Sequence, residues 1–279
     1  MTKTRKQMGK RIFILFLPML ILLLFLLFPF YWTFVTSIKP ELELYGKVVT
    51  YWPKEMTFAS YSKLFGEFNF LNPMFNSALV ASVTTMVTLT VATLAAYSFS
   101  RFQFRGKKLL MIMFLTNNMF PNVLLLIPLY AMMRQLNLLY NPLSLVIAYA
   151  TFTIPFSVWM LTGYLRDLPI DMEEAALIDG ASRPTAFLRV VLPVLTPSIV
   201  ATGIYIFIQA WNEYTFAVLF TNESNRTIPV ALNNLVGQLG VQWDLLTAGG
   251  IINIIPICIM FFFAQKRLIE GMTAGAVKG

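Results

Sequence analysis

The sequence has no histidine and only one cysteine, Cys258. A disulfide within the chain is therefore impossible, and metal centres built from imidazoles or several thiolates are excluded. Charge is also scarce. Asp, Glu, Lys and Arg make up 12% of residues, about half the share usual in soluble domains. No G-x-x-x-x-G-K-[ST] run occurs, so the chain has no nucleotide-binding P-loop of its own. What is abundant is apolar: 57% of residues, with a mean hydropathy of +0.69. A soluble chain of 279 residues would form one or two domains, but this one can hide its apolar surface only in lipid. Its net charge of +8 comes from basic residues in short segments between apolar runs. That pattern belongs to membrane proteins and excludes a nucleic-acid partner.

The first apolar run, 12–34, follows five basic residues. A signal peptide has the same plan, but this run is longer than a normal h-region and lacks a small-x-small cleavage site. It is expected to be a retained anchor, with Tyr31 and Trp32 at a membrane interface. Five more runs follow, at 74–99, 109–133, 143–165, 195–220 and 245–264. Each is long enough to cross a hydrocarbon core of about 30 Å as a helix. Pro18, Pro29, Pro128, Pro155 and Pro256 fall within these runs and are expected to kink them. The fold class expected is an all-α integral membrane protein with six transmembrane helices. A single transmembrane domain would cover about 74–265, with an extracytoplasmic loop at 35–73.

Lysine and arginine give the direction. The N-terminal tail (1–11), the 100–108 loop, the 166–193 loop and the C-terminal tail (265–279) carry fifteen, and the opposite side carries six. That bias places both termini in the cytoplasm. The polar insert at 166–193 is then cytoplasmic as well. Within it, Asp171 can cap a helix, and Glu173 and Glu174 suit its positive end. Gly180 permits the left-handed residue that closes a helix, and Ser182–Pro184 can start another. Two short helices joined by a sharp turn suit docking into a partner's groove, with small Ala175 and Ala176 and the charge of Glu174. An amphipathic loop lying on the lipid boundary would read the same way by these rules.

The spacing is more specific. Glu174-Ala175-Ala176, three residues, Gly180, nine residues and Val190-Val191-Leu192-Pro193 resemble the E-A-A-x3-G-x9-I-x-L-P signature of ABC importer permeases, with Val190 where isoleucine is usual. Other segments resemble the six-span permeases of maltose-type carbohydrate importers. These are Ser37-Ile38-Lys39-Pro40, Tyr61-Ser62-Lys63-Leu64-Phe65, Ala96-Tyr97-Ser98-Phe99-Ser100-Arg101, Trp211-Asn212-Glu213-Tyr214 and the terminal run Gly271 to Gly279. The resemblance implies a type I importer (MetI-like) fold in a bacterial or archaeal plasma membrane. It implies that Glu174, Ala175, Ala176, Gly180, Leu192 and Pro193 couple to an ATPase, with the tail residues Thr273, Ala274, Gly275, Val277 and Lys278 at the ATPase interface. A disordered terminus is the alternative for that tail. The implied partners are a second, homologous permease, two ATP-binding cassette subunits and an extracytoplasmic solute-binding protein. The substrate would be a sugar, oligosaccharide or sugar derivative, or else another solute class. No cofactor is expected on this chain, and ATP and Mg would sit on the ATPase subunits. The chain would itself be no enzyme.

Glu213 is the one acid well inside an apolar run. On insertion scales a carboxylate at mid-bilayer costs roughly 2.5–3.5 kcal/mol, so it should face protein or water. Glu213, Gln209 and Asn212 are candidates to line a substrate pathway, with Asn117, Asn118 and Asn253 as further amides. A structural hydrogen-bond hub is the competing role. Ser77, Ala81, Thr85, Thr88, Ala92, Ala96 and Ser100 form a small-residue stripe that is expected to pack helices closely. An ion-driven transporter would be expected to have acids in several runs and an internal repeat. A membrane enzyme would need clustered nucleophiles or acids, and the sequence offers neither pattern.

Overall fold

The computed structural model describes residues 2–237 and 240–276, with side chains over 14–237 and 240–265. Most of it is helical. In chain order the helices are α1 (Thr2–Ser37), α2 (Glu41–Leu44), α3 (Ala59–Gly66), α4 (Leu71–Arg101), α5 (Lys107–Met119), α6 (Leu126–Gln135), α7 (Pro142–Asp167), α8 (Asp171–Ile178), α9 (Arg183–Ala186), α10 (Leu192–Trp211), α11 (Ala217–Phe220), α12 (Ile228–Asn233) and α13 (Trp243–Ala276). A two-stranded hairpin, β1 (Val236–Gly237) and β2 (Gly240–Val241), precedes α13. Among the described residues, five spans are long and apolar enough to cross a membrane, or six if α5 and α6 are counted as one broken span.

The run expected over 109–133 is broken between α5 and α6. The two halves meet at 98°. Pro121 is the cause. It has no N–H with which to continue the helix, and it pushes the preceding residue, Phe120, into an extended conformation (φ −78, ψ 131). A 3-10 turn over Asn122–Leu125 then starts the second half. The run expected over 195–220 is interrupted too. α10 stops at Trp211, and the chain re-enters a short helix only at Ala217.

Contacts divide the chain into two units. One comprises residues 1–69 and 234–255. In it, the side chains of α1 from Ile14 to Phe30 are all exposed, as befits a lipid-facing anchor. Its last turn is buried by the following loop. The Ser37 hydroxyl and the Tyr61 phenol lie 2.8 Å apart. Lys39, only 4% exposed, places its ammonium 4.9 Å from the Trp32 ring centroid and bonds the Thr50 carbonyl. The Ser60 hydroxyl donates to Asp244 at 3.2 Å. Glu43, in the same loop, has its carboxyl held below the usual carboxylate range, chiefly by the Thr50 hydroxyl.

The other unit comprises 70–233 and 256–279, and its centre is α4 packed on α7 and α10. The small-residue stripe faces this packing: Ser77, Ala81, Thr88, Ala92 and Ala96 are buried. Apolar contact gains nothing over lipid tails inside a membrane. Close approach and interhelical hydrogen bonds hold helices together instead. Thr88 and Thr153 hydroxyls meet at 3.0 Å between α4 and α7. At Gly203 of α10 an added Cβ would sit 3.1 Å from Leu89 Cδ1, so the absence of a side chain there sets how close α10 lies to α4. At one end of the unit, Ala92, Ala96 and Phe99 of α4 pack with Val158, Leu161 and Leu165 of α7 and with Phe187, Val191 and Leu195. That cluster fastens the segment between α8 and α10 to the bundle.

Candidate functional site

Two places in the second unit concentrate polar groups. The first is the hairpin of α8 and α9. Asp171 occupies the first turn of α8, and no side chain caps that helix, because Ile170 takes the cap position. The acids Asp171, Glu173 and Glu174 still lie at its positive end. The helix closes as expected on Gly180, at φ +89. Gly180 N–H donates to the Leu177 carbonyl at 3.1 Å and Ala181 N–H to the Ala176 carbonyl at 3.0 Å. This pair of bonds satisfies the last carbonyls of a helix and requires a left-handed residue between them. Ser182 then caps α9, its hydroxyl accepting from Thr185 N–H, with Pro184 in the first turn. A π-helical turn over Phe187–Val191 leads into α10. Pro193 would clash with the Arg189 carbonyl in a regular helix, and the wider turn ahead of it relieves that conflict.

The hairpin splits its two adjacent glutamates. Glu174, Ala175 and Gly180 are exposed and Ala176 is half-buried. Glu173 is only 4% exposed. Arg101 Nε donates to Glu173 Oε2 at 3.0 Å, and the Tyr97 hydroxyl donates to Oε1. Arg101 Nη2 also reaches the Leu168 carbonyl at 3.4 Å. Sequence reasoning gave Glu173 only a helix-dipole role and missed this partnership. The one available signal was Arg101, a cation at the end of an apolar run.

The second place is a cavity of about 110 Å³ lined by Asn117, Asn118, Asn122, Tyr149, Phe152, Thr153, Tyr205, Gln209, Ala210 and Glu213. Both helix breaks contribute to it: Asn117–Asn122 where α5 gives way to α6, and Glu213 where α10 stops. Irregular backbone at membrane depth is tolerated only where protein buries it or water reaches it. Glu213 accepts from Phe216 N–H at 2.9 Å and from Ala217 N–H at 3.2 Å. Its carboxylate thus ties off the free amides where α11 begins. The Tyr149 hydroxyl is buried beside the Glu213 carboxylate. Four of the six pathway candidates, Asn117, Asn118, Gln209 and Glu213, meet in this cavity. Asn212 does not line it. That side chain is exposed and bonds back to the Ile208 carbonyl of its own helix at 3.1 Å. Asn253 is on α13, in the other unit. Tyr149, Phe152, Thr153 and Tyr205 were missed, although 149, 152 and 153 share one face of α7 and 205 and 209 one face of α10.

A family model described as the inner membrane component of binding-protein-dependent transport systems matches residues 88–273. The chain belongs to this family of ABC importer permeases. Two relatives are similar over almost their whole length. The sulfoquinovosyl glycerol transport system permease SmoH of Agrobacterium fabrum is 35% identical over 95% of this chain and 93% of its own. The trehalose/maltose transport system permease MalG of Thermococcus litoralis is 34% identical over 99% of each. Among solved structures, a bacterial ABC transporter involved in import of the acidic polysaccharide alginate aligns with a TM-score of 0.78 at 24% identity, over 92% of this chain and 97% of that one. A permease performs no covalent chemistry, which suits a site made of amides, aromatic rings and one acid. The permease's tail candidates Thr273, Ala274 and Gly275 fall in the final turn of α13. Val277 and Lys278 lie outside the described residues.

Proposed function

We propose that this permease forms half of the translocation pathway of an ATP-driven importer for a sugar, oligosaccharide or sugar derivative. A homologous permease would supply the other half, and an extracytoplasmic solute-binding protein would deliver the substrate. Two ATPase subunits would engage the α8–α9 hairpin, through Glu174, Ala175, Ala176 and Gly180, and the C-terminal tail. ATP would close those subunits. Closure drives transport only if the closed pair binds one orientation of the permease better than the other. Leu192 and Pro193 join the hairpin rigidly to α10, so a displacement of the hairpin would reach Gln209 and Glu213 at the far end of that helix.

The observation that carries this reading is the meeting of two helix breaks at one polar cavity. Discontinuous helices bring backbone and polar side chains to a solute within a membrane. Amides, a carboxylate and aromatic faces match the hydroxyls and apolar faces of a sugar ring. The transport systems to which SmoH and MalG belong support a carbohydrate and leave the particular one open. Purifying the permease with its genomic neighbours tests the reading. An ATPase should copurify and be lost on Gly180→Arg. Solute transport by this chain alone in liposomes would overturn it.

A further inference from the structure

The partnership of Glu173 points beyond docking. Successive helical residues are turned by about 100°, so neighbouring side chains serve different faces. Glu174 is presented outward, and Glu173 points into the bundle. Its carboxylate is fully occupied by the end of α4: Arg101 on one oxygen and Tyr97 on the other. Arg101 also holds the Leu168 carbonyl, in the link between α7 and α8. The Tyr97 ring packs on Phe187 with centroids 4.6 Å apart, so one tyrosine touches both limbs of the hairpin. The ion pair is nearly dry, with both side chains 6% exposed. A buried pair of this kind is costly to break, because removing one partner strands a charge away from water. Two pieces joined by it therefore move together.

We propose that Arg101, Glu173 and Tyr97 form a rigid joint that carries the hairpin's displacement directly into α4. α4 has no chain connection to the hairpin and is the helix on which α7 and α10 pack. Without the joint, α8 would lose its polar tie to α4, and only the apolar packing of Phe187 and Val191 on Ala92, Ala96 and Phe99 would resist slip of the hairpin against that helix. Arg101, Glu173 and Tyr97 are thus positioning residues for coupling. The proposal rests on the reading of the hairpin as the ATPase-facing element.

Spin labels at Ser98→Cys on α4 and Met172→Cys on α8, in a Cys258→Ser background, test it in the whole transporter reconstituted with its ATPase. The labelled distance should be narrow, and the same without nucleotide and in the state trapped with ADP and vanadate. Arg101→Glu should broaden it and make it depend on nucleotide, while the ATPase stays attached. The exchange Arg101→Glu with Glu173→Arg should restore the native distribution, which it could not do if the two side chains acted independently. Should Arg101→Glu fail to insert, Arg101→Lys and Tyr97→Phe take its place; each should broaden the distance to a smaller degree. A native distance that changes on trapping, variants with the native distribution, or an exchange no better than the single change would overturn the joint. An ATPase that never copurifies with the native chain would instead overturn the function proposed above.

Discussion

In the hairpin of residues 171–193, the bonds that set the backbone join residues no more than five positions apart: Gly180 to Leu177, Ala181 to Ala176, Thr185 to Ser182. The cavity around Glu213 draws on three separate stretches, 117–122, 149–153 and 205–213, and it exists only because two helices stop short. The hairpin presents Ala175, Gly180 and several charges, Glu174 among them, outward. The cavity turns amides, rings and a carboxylate inward. Local rules suffice for a surface that another protein must recognise. A solute site within a membrane needs several helices to withdraw together, since no single helix can free its own backbone groups there.

Substitutions at the two places should therefore fail differently. Gly180→Arg is expected to have the largest effect. Its φ of +89 costs a side-chain-bearing residue roughly 1–2 kcal/mol, and the added bulk would stand on the exposed turn. ATPase recovery with the purified permease should fall to background, with membrane insertion unchanged. Glu213→Ala comes next. It strips the amides of Phe216 and Ala217 of their acceptor, at about 0.5–2 kcal/mol by analogy with lost helix caps. Uptake in proteoliposomes should fall about tenfold with the ATPase still bound; loss of the ATPase here would erase the distinction between the two places. Glu174→Lys should weaken ATPase attachment or its stimulation without altering insertion, which pull-down and ATPase assays can separate. Gly203→Ala should have the smallest effect. Leu89 must yield a few tenths of an ångström, and the expected loss of thermal stability is at the low end of the roughly 1–3 kcal/mol typical of overpacking. It should leave both ATPase attachment and the shape of the cavity in place.

How much could be read from the residues follows the same division. Gly180, Ser182 and Pro184 act through their own backbone preferences, so the two-limbed insert was legible. Asp171 was misjudged as a cap because Ile170 takes that position, a one-residue offset that no local preference decides. Pro121 is the instructive case. Prolines at 18, 29, 155 and 256 lie inside continuous helices, yet Pro121 ends one. A proline removes one hydrogen bond wherever it falls, and neighbouring helices decide whether the backbone bridges the gap or turns away. Glu213 was legible as an acid that had to face protein or water. That it would meet Tyr149 and Asn117 was not, because those meetings depend on how α5, α7 and α10 cross.

Composition and spacing alone determined that the chain lives in lipid as helices and carries a bent polar insert between two of them. Lipid forces every backbone group to find its own partner, which leaves little freedom to any long apolar run. Only the tertiary structure decided where those runs break, which of two neighbouring glutamates turns inward, and which amides share a cavity. Each of these depends on a contact between residues tens of positions apart, where no local preference acts and only the packing of whole helices selects the partner.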